Sequence, residues 1–399
     1  MTVRLDDATS AHGGKAAGLG ALRRAGLPVP DGFVVPACVP AADLPRVVAA
    51  GLAGLGPGGV ADLPVAVRSS ATDEDGPRAS AAGQYDSVLG AVGADDVVAA
   101  ALACRASAHG PRVKAYRAAT GDARHPAEVT VVVQRLVDAR AAGVLFTDGG
   151  RAVVEASWGL GESVVQGAVD PDRWTVAGGR VVERRTGAKR SRVDRSPAGT
   201  TTRTVAVRER DRPCLDDAAV LRLTALGARV VDLLGGPQDV EWAVDDDGEP
   251  WLLQARPVTA ALPRPRCGRD FGGNDDPHTP RSHAHNDGVA LRGTAGSGGR
   301  ARGPARVVRG PDDFGTVQPG DVLVCRETDP AWTPLFGVVA AVVTETGGLL
   351  SHAAIVAREL RLPAVLGVPG ATDVLRDTGS VAVDGDDGTV AVDPNAVRG

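Results

Sequence analysis

Residues 237–257 read PQDVEWAVDDDGEPWLLQARP, in which apolar and polar residues alternate on both sides of the pair Asp247-Gly248. Asp-Gly between two alternating runs is a strong signal for a β-hairpin. A two-residue turn at this pair would place Asp246 opposite Glu249 and so fix the register of the two strands. The sequence therefore predicts a hairpin whose two faces can be assigned by counting outward from the turn.

That count places Glu241 opposite Gln254 and Asp239 opposite Arg256, all on one face. Two oxygen-bearing side chains across a strand pair are hard ligands, suited to Mg²⁺ bound together with the phosphates of a nucleotide. A solvated polar face explains the same residues equally well. The other face is predicted to be core and consists of Val240, Trp242, Val244, Trp251, Leu253 and Ala255.

A lysine surrounded by small residues opens the chain, in GGKAAGLG at residues 13–20. The segment is predicted to lead into a helix that reaches Arg24 and is broken by Gly26. Lys15 could reach phosphates from this helix start. The spacing is not that of a P-loop, so an ordinary surface lysine remains the simpler interpretation of this segment alone.

An arginine ends the apolar run VAVRSS at residues 65–70, and the acidic loop TDED follows at residues 72–75. The guanidinium group of Arg68 is planar and permanently charged, which suits phosphate oxygens. The next loop, ASAAGQ at residues 79–84, is small enough for its main-chain amides to approach a polyphosphate, and Ser87 comes shortly after.

A second candidate site lies in VVTETGGLLSHAA at residues 342–354. A strand is predicted to end before the two glycines, and Ser351 is a good cap for a helix from His352 to about Leu360. The imidazole of His352 would then lie beside free N–H groups and the positive end of the helix dipole, where a phosphoryl group on it is stabilised. Taken alone, such a histidine is more often an ordinary surface residue.

The chain divides into two parts with a linker between them. Residues 1–262 alternate β-branched runs with Ala/Leu-rich helical stretches, as α/β and α+β domains do. Residues 263–290 are rich in Pro, Gly, Asp and Asn and are predicted to be a flexible linker, in which His278, His283 and His285 are polar residues rather than metal ligands. Residues 291–399 are predicted to form a second, compact domain of short Val-rich strands.

Composition excludes several classes of protein. The 399 residues contain 44 Lys and Arg against 49 Asp and Glu, a formal charge of −5, which gives no surface for nucleic acid or membrane. No stretch is apolar enough to span a membrane, and we expect a cytoplasmic protein. The five cysteines are irregularly spaced and are predicted to be free thiols.

Eight segments in the first part occur in a family-specific order: GGKAAGLG, AVRSSATDED, AAGQYDSVLG, VVVQRLV, AGVLFT, VEASWGLGE, PQDVEW and LLQARPVT. Together they resemble the ATP-grasp domain of the phosphoenolpyruvate synthase, pyruvate phosphate dikinase and rifampin phosphotransferase family. The segment TETGGLLSHAAIVARELRLPAVLGV resembles the phosphohistidine, or swivelling, domain of the same family, and TDPAWTPLF at residues 328–336 is more similar to the rifampin phosphotransferase branch than to the dikinases.

The resemblance implies roles for individual residues. It implies that His352 carries the phosphoryl group, that Arg68 stabilises its transfer, and that Glu241 and Gln254 are the magnesium ligands. It implies nucleotide or phosphate contacts for Lys15, Arg68, Gly83, Ser87, Gln134, Glu241, Gln254 and Arg256.

The implied reaction moves the β-phosphoryl group of ATP through phospho-His352 to an acceptor and gives AMP and inorganic phosphate. We expect ATP and Mg²⁺ as cofactors and a small molecule with a hydroxyl group as acceptor. The 399 residues leave no room for the acceptor domain of these relatives, such as a TIM barrel of typically ~250 residues, so synthase activity by this chain alone is not expected. A phosphocarrier that donates to a separate acceptor protein is the alternative, and a non-catalytic ATP-binding regulator is a third hypothesis that the retained His352 disfavours.

Overall fold

A computed structural model describes residues 1–55, 63–71, 86–110, 113, 129–148, 150–197, 199–262, 290–376 and 378–392. Residues 263–289 of the predicted linker, the acidic loop at residues 72–75, the loop that contains Gly83, and Cys267 lie outside the described residues. The helices in the described ranges are α1 (Gly14–Arg24), α2 (Leu44–Ala53), α3 (Gly93–Ser107), α4 (Glu162–Val165), α5 (Val207–Arg210), α6 (Asp217–Leu234), α7 (Thr333–Phe336), α8 (His352–Glu359) and α9 (Ala371–Val374).

The first sheet has five antiparallel strands in the order β1-β2-β5-β3-β4. Alternation along its central strand assigns the two faces: Val131 and Val133 pack towards α2 and α3, whereas Val132 packs towards α1 and the second sheet. The strands are β1 (Val3–Arg4), β2 (Gly32–Val35), β3 (Val65–Ala71), β4 (Ser87–Ala91) and β5 (Val129–Arg135).

The second sheet has six antiparallel strands in the order β13-β12-β6-β7-β8-β9. Helices α1 and α6 contribute to the same apolar core as this sheet, through side chains such as Leu19 and Leu223. The strands are β6 (Ala141–Asp148), β7 (Arg151–Trp158), β8 (Asp172–Ala177), β9 (Arg180–Arg185), β12 (Gln238–Val244) and β13 (Pro250–Pro257). A separate hairpin, β10 (Ser191–Ser196) and β11 (Gly199–Thr204), lies beside them.

The predicted hairpin forms, but its turn differs from the prediction. Val244 pairs with Pro250, and Asp245 N donates to Glu249 O, so the predicted two-residue turn and the pairing of Asp246 with Glu249 are wrong. A β-bulge between Glu241 and Trp242 shifts the register back, because it adds one residue to the opposite strand.

Beyond the bulge, Glu241 lies opposite Gln254 and Asp239 opposite Arg256, as predicted. The same bulge brings Leu252 into the main core, whereas Trp251 and Leu253 are only half-buried. The predicted core positions of Trp251 and Leu253 are therefore wrong, and Leu253 is left to line the candidate site.

The third sheet has eight strands in the order β14-β21-β20-β16-β17-β18-β19-β15. Only Gly293 separates its two edge strands in sequence, so the sheet must curl to bring them together. The strands are β14 (Ala290–Arg292), β15 (Thr294–Ser297), β16 (Arg300–Val307), β17 (Val322–Cys325), β18 (Ala341–Thr344), β19 (Ala364–Leu366), β20 (Ser380–Asp384) and β21 (Thr389–Val392). Strand β14 begins one residue inside the predicted linker.

Alternation along β17 gives this sheet two cores. Leu323 and Cys325 pack on the side of α7 and α8, and Val322 and Val324 pack on the other side. The mixed α/β and α+β class predicted from the sequence is confirmed. The four cysteines in the described ranges are free, and no helix there is long and apolar enough to cross a membrane.

Candidate functional site

A cavity of about 270 Å³ lies between the first two sheets and is closed on one side by the third-sheet region. Eight of the nine residues that the sequence assigned to the site line this one cavity. Gly83 lies outside the described residues. The eight are Lys15, Arg68, Ser87, Gln134, Glu241, Gln254, Arg256 and His352.

Lys15 reaches the cavity because the chain before it is packed tightly. Gly13 has a φ of 88°, and a Cβ there would lie 2.3 Å from Ser70 O. Ser70 Oγ accepts from Ala16 N and donates to His12 O, which fixes the start of α1 against β3. The Nζ of Lys15 donates to Ser69 O at 2.9 Å. The small residues of the GGKAAGLG segment are therefore explained by close backbone contact.

Arg68 provides a buried positive charge with a free donor. Its Nη1 donates to Leu253 O at 3.1 Å and lies 3.4 Å from Glu241 Oε2. Its Nε is buried and has no hydrogen-bond partner in the described part of the chain. Because an unmade hydrogen bond to a buried charged group is costly, this donor fits a site that takes an anion such as phosphate.

Glu241 and Gln254 offer a carboxylate and an amide oxygen from directly opposite strand positions. The described residues contain no group of three or more His, Cys, Asp or Glu that could hold a metal ion by itself. Mg²⁺ commonly takes one or two protein ligands and completes its shell with water and substrate phosphates. The two oxygens beside Arg68 therefore fit Mg²⁺ that arrives with a nucleotide.

Arg256 is held by the carboxylate of Asp239, for which no role was predicted. Its Nε and Nη2 donate to Asp239 Oδ2 at 2.9 and 2.7 Å, and Asp239 Oδ1 is buried with no hydrogen-bond partner among the described residues. A phosphate contact by Arg256 stays a prediction, and Asp239 would orient the guanidinium group for it.

Part of the cavity lining is apolar and includes Leu89, Val137 and Leu160. Gln134 also lines the cavity and is buried, and its Nε2 donates to Pro30 O at 3.2 Å. An apolar slot with a few placed polar groups suits an aromatic base. Burial raises the pKa of Glu162, which also lines the cavity and was not predicted.

His352 is the first residue of α8, as predicted, and is 3% exposed. Its Nδ1 lies 3.4 Å from Thr328 Oγ1 and its Nε2 lies 3.4 Å from Thr333 Oγ1. Burial, and then the positive charge of Arg256, lower the pKa of His352 to about 4. The ring is therefore neutral at pH 7, which is the nucleophilic form.

Two details of α8 differ from the prediction. Ser351 occupies the N-cap position, but its hydroxyl donates to Gly348 O at 2.9 Å rather than accepting from the helix. The helix ends at Glu359, one residue earlier than expected. Free N–H groups still remain at the helix start, beside the imidazole.

Glu155, on β7, holds the loop before His352 and was missed by sequence reasoning. Its carboxylate is fully buried and accepts from Leu349 N at 2.9 Å and Leu350 N at 3.0 Å. Arg173 Nε donates to the same carboxylate at 2.8 Å. A Cβ on Gly348 would lie 2.2 Å from Glu155 Oε2, so this contact requires a glycine. The only sequence signal was a glutamate within an apolar strand.

Apolar and main-chain contacts surround Glu155. Leu350 is 2% exposed and packs into a cluster that includes Phe146, Val153 and Val164 of the first part of the chain. Gly347 N donates to Val169 O at 3.1 Å. These contacts place His352 at the cavity, although it lies far along the chain from the strands that form the cavity.

Two family profiles match this chain. Residues 41–265 match pyruvate phosphate dikinase, AMP/ATP-binding domain, and residues 317–388 match PEP-utilising enzyme, mobile domain. The domain boundaries expected at residues 262 and 291 stay a prediction.

Curated relatives match over most of this chain but only part of their own length. A probable phosphoenolpyruvate synthase from Methanothermobacter thermautotrophicus is 34% identical over 95% of this chain and 61% of the relative. A probable phosphoenolpyruvate synthase from Pyrococcus abyssi is 37% identical over 82% of this chain and 41% of the relative. The phosphoenolpyruvate synthase of Pseudomonas aeruginosa is 38% identical over 82% of this chain and 44% of the relative.

Proposed function

Because the chain belongs to the pyruvate phosphate dikinase family of ATP-dependent phosphotransferases, we propose that it transfers the β-phosphoryl group of ATP to His352 and then to an acceptor hydroxyl. The observation that carries this proposal is the shared cavity, since Lys15, Arg68 and His352 line the same space. A nucleophile that lines the same cavity as the phosphate-binding cations can be held close to the reacting phosphorus.

Lys15 and Arg68 would bind the phosphate oxygens, because both are buried cations that line the cavity. Glu241 and Gln254 would hold Mg²⁺, which neutralises phosphate charge when bound. Arg68 would use the donor that is free in this structure to stabilise charge on the transferring group.

A neutral ring nitrogen of His352 would form a bond to the β-phosphorus, while the bond from that phosphorus to the bridging oxygen of AMP breaks. Water then removes the γ-phosphoryl group as inorganic phosphate. The acceptor hydroxyl subsequently attacks the remaining phosphorus, and the imidazole leaves as its proton is taken up. ATP, water and the acceptor thus give AMP, phosphate and a phosphorylated acceptor.

The contacts of Glu155 with residues 349 and 350 support a docked arrangement for the first transfer. His352 is too buried there to meet a second substrate, so the domain that carries it must move away before the phosphoryl group reaches the acceptor.

Product analysis tests the proposal. Protein, Mg²⁺ and ATP labelled at the β or the γ position are mixed, and the products are separated. We expect AMP, phosphate labelled from the γ position, and protein labelled from the β position. Formation of ADP together with protein labelled from the γ position would overturn the β-phosphoryl route.

A chase experiment addresses the acceptor, which we propose to be a small molecule with a hydroxyl group. Labelled protein is freed of nucleotide and mixed separately with the small-molecule and the macromolecular fractions of a cell extract. Discharge by the small-molecule fraction supports the proposal. Discharge only by the macromolecular fraction would support the alternative, a phosphocarrier that donates to a separate protein.

A further inference from the structure

A groove lies beside the loop that precedes His352, on the side away from the nucleotide cavity. This groove, of about 540 Å³, has a floor formed by β7, β8 and β9 and is covered by the turn between β14 and β15 and by Gly367 and Pro369. Leu349 lines this groove, whereas His352 lines the nucleotide cavity, so loop 347–351 separates the two.

Four arginines line the groove, and they come from both parts of the chain. Arg151, Arg173 and Arg185 project from β7, β8 and β9, and Arg292 projects from β14. Arg173 and Arg185 are directly opposite each other on neighbouring strands. Two positive charges directly opposite each other on neighbouring strands destabilise a sheet unless negative groups compensate them. The four arginines therefore indicate that the groove is suited to negatively charged groups.

Two of the arginines are fixed by partners. Arg173 donates to Glu155, and Arg185 Nη2 donates to Asp170 Oδ1 at 3.3 Å. Both also donate to the Thr294 hydroxyl, at 3.4 and 2.9 Å respectively. These two guanidinium groups are therefore preorganised at the floor of the groove.

The other two arginines have no such partner. Within the described ranges, neither Arg151 nor Arg292 makes an ion pair or a side-chain hydrogen bond. Besides Asp170, the carboxylates that line the groove are Glu183, which accepts from Thr175 Oγ1 at 3.1 Å, and Asp386, which accepts from Gly299 N at 3.2 Å. The charges of Arg151 and Arg292 thus remain available to a ligand.

We propose that this groove binds a small anion that carries several carboxylate or phosphate groups, held by Arg151 from one domain and Arg292 from the other. Arginine forks match both kinds of group. A ligand that contacts both domains also favours the arrangement in which they are docked. The proposal goes beyond phosphoryl transfer and does not depend on it.

Titration calorimetry of the full chain tests the proposal, with citrate and inorganic pyrophosphate as separate probes, without ATP or Mg²⁺ and at constant ionic strength. We expect at least one probe to bind, and Arg151→Gln and Arg292→Gln each to weaken its binding about tenfold or more. Arg180→Gln, on the exposed edge strand β9 but outside the groove, should leave binding unchanged. The preferred probe identifies the ligand as carboxylate or phosphate.

The nucleotide cavity is also an anion site, so Arg68→Gln serves as a second control. Binding that persists in Arg68→Gln and is lost in the Arg151→Gln, Arg292→Gln double variant supports the groove. Binding lost in Arg68→Gln but kept in the double variant would place the anion in the nucleotide cavity and overturn the proposal. Absence of binding by either probe at millimolar concentration would overturn it as well.

Discussion

Glu155 Oε2 and Leu350 N are 3.0 Å apart, although 195 residues separate them in the chain. The carboxylate is fully buried by this contact and by its partners Leu349 N and Arg173. The interaction joins the sheet of the nucleotide cavity to the loop that begins the helix of His352. In the proposed reaction, Glu155 is thus a positioning residue for His352, and it does not itself line the nucleotide cavity.

Replacing Glu155 by Gln should slow phosphorylation of His352 about tenfold or more. The main-chain N–H groups of Leu349 and Leu350 each donate to one carboxylate oxygen, and in the variant one of them would face the NH₂ group of the amide instead. That N–H group would lose its charge-assisted hydrogen bond. ATP affinity should be unchanged, since Glu155 does not line the nucleotide cavity. Rapid-quench labelling and a nucleotide-binding titration measure the two effects. Glu183→Gln, on the nearby strand β9, is the matched control, and an equal effect of both substitutions would contradict the assignment.

Gly348→Ala should impair the same step, because its Cβ would collide with the Glu155 carboxylate. In a Glu155→Ala background the collision is removed, so the added effect of Gly348→Ala should largely disappear. A double-mutant cycle on the labelling rate measures this coupling. Gly315→Ala, at a site with open space, is the control, and simple additivity of Glu155→Ala with Gly348→Ala would argue against direct contact.

The hairpin β12–β13 shows what the sequence can and cannot predict. Alternation and the Asp-Gly pair gave the correct pairing of Glu241 with Gln254, although the turn was wrong, because the wider turn and the bulge offset each other. A bulge has no simple sequence signal, so the core position of Leu252 could not be predicted. The alternation of apolar and polar residues was enough to predict the two strands, whereas the turn depends on packing against the rest of the protein.

Glu155 was unpredictable for a different reason. Its partners are main-chain N–H groups of a distant loop, and any residue carries such a group, so no side-chain pattern identifies them. Arg68 and Glu241 were predicted because their own charged side chains stand in recognisable sequence motifs, whereas Glu162, which lines the same cavity, was not predicted. The ion pair of Arg256 with Asp239 shows an intermediate case, in which the register was predicted but the role of the carboxylate was not.

The pKa of His352 gives a pH prediction. In the folded protein it is about 4, below the ordinary value, so the unfolded chain binds the proton more strongly between about pH 4 and pH 6.5. This group therefore lowers folding stability progressively as the pH falls through that range. An NMR titration of the His352 ring should show a midpoint near 4 in the native protein, with His352→Gln used to assign the signal. A midpoint near 6.5 would contradict burial of the ring beside Arg256.

Arg256→Gln should raise the pKa of His352, because it removes the nearby positive charge and leaves Asp239 without its partner. The midpoint should remain below the ordinary value, since burial is the larger cause of the shift. The same NMR titration measures the change. Arg195→Gln, which breaks an ion pair on the separate hairpin, should leave the midpoint unchanged, and a fall in the pKa on Arg256→Gln would contradict the electrostatic assignment.

The buried ion pair between Lys189 and Asp172 should stabilise the folded protein. Lys189 Nζ lies 2.6 Å from Asp172 Oδ1, and both side chains are fully buried. Lys189→Met would leave an uncompensated buried carboxylate and should lower the free energy of unfolding by about 3–5 kcal/mol. Urea unfolding of the variant and of the wild-type protein measures this change in the free energy of unfolding. Arg184→Met breaks the exposed pair with Asp217 and should cost less than about 1 kcal/mol, so equal costs would contradict the difference in burial.

The central claim is that His352 receives the phosphoryl group from a nucleotide bound in the shared cavity. Wild-type protein and His352→Gln are each mixed with Mg²⁺ and β-labelled ATP, quenched in base, and assayed for label that acid removes. The account predicts acid-labile label on the wild-type protein, and none on His352→Gln even though that variant still binds ATP. Equal label on the two proteins would contradict it.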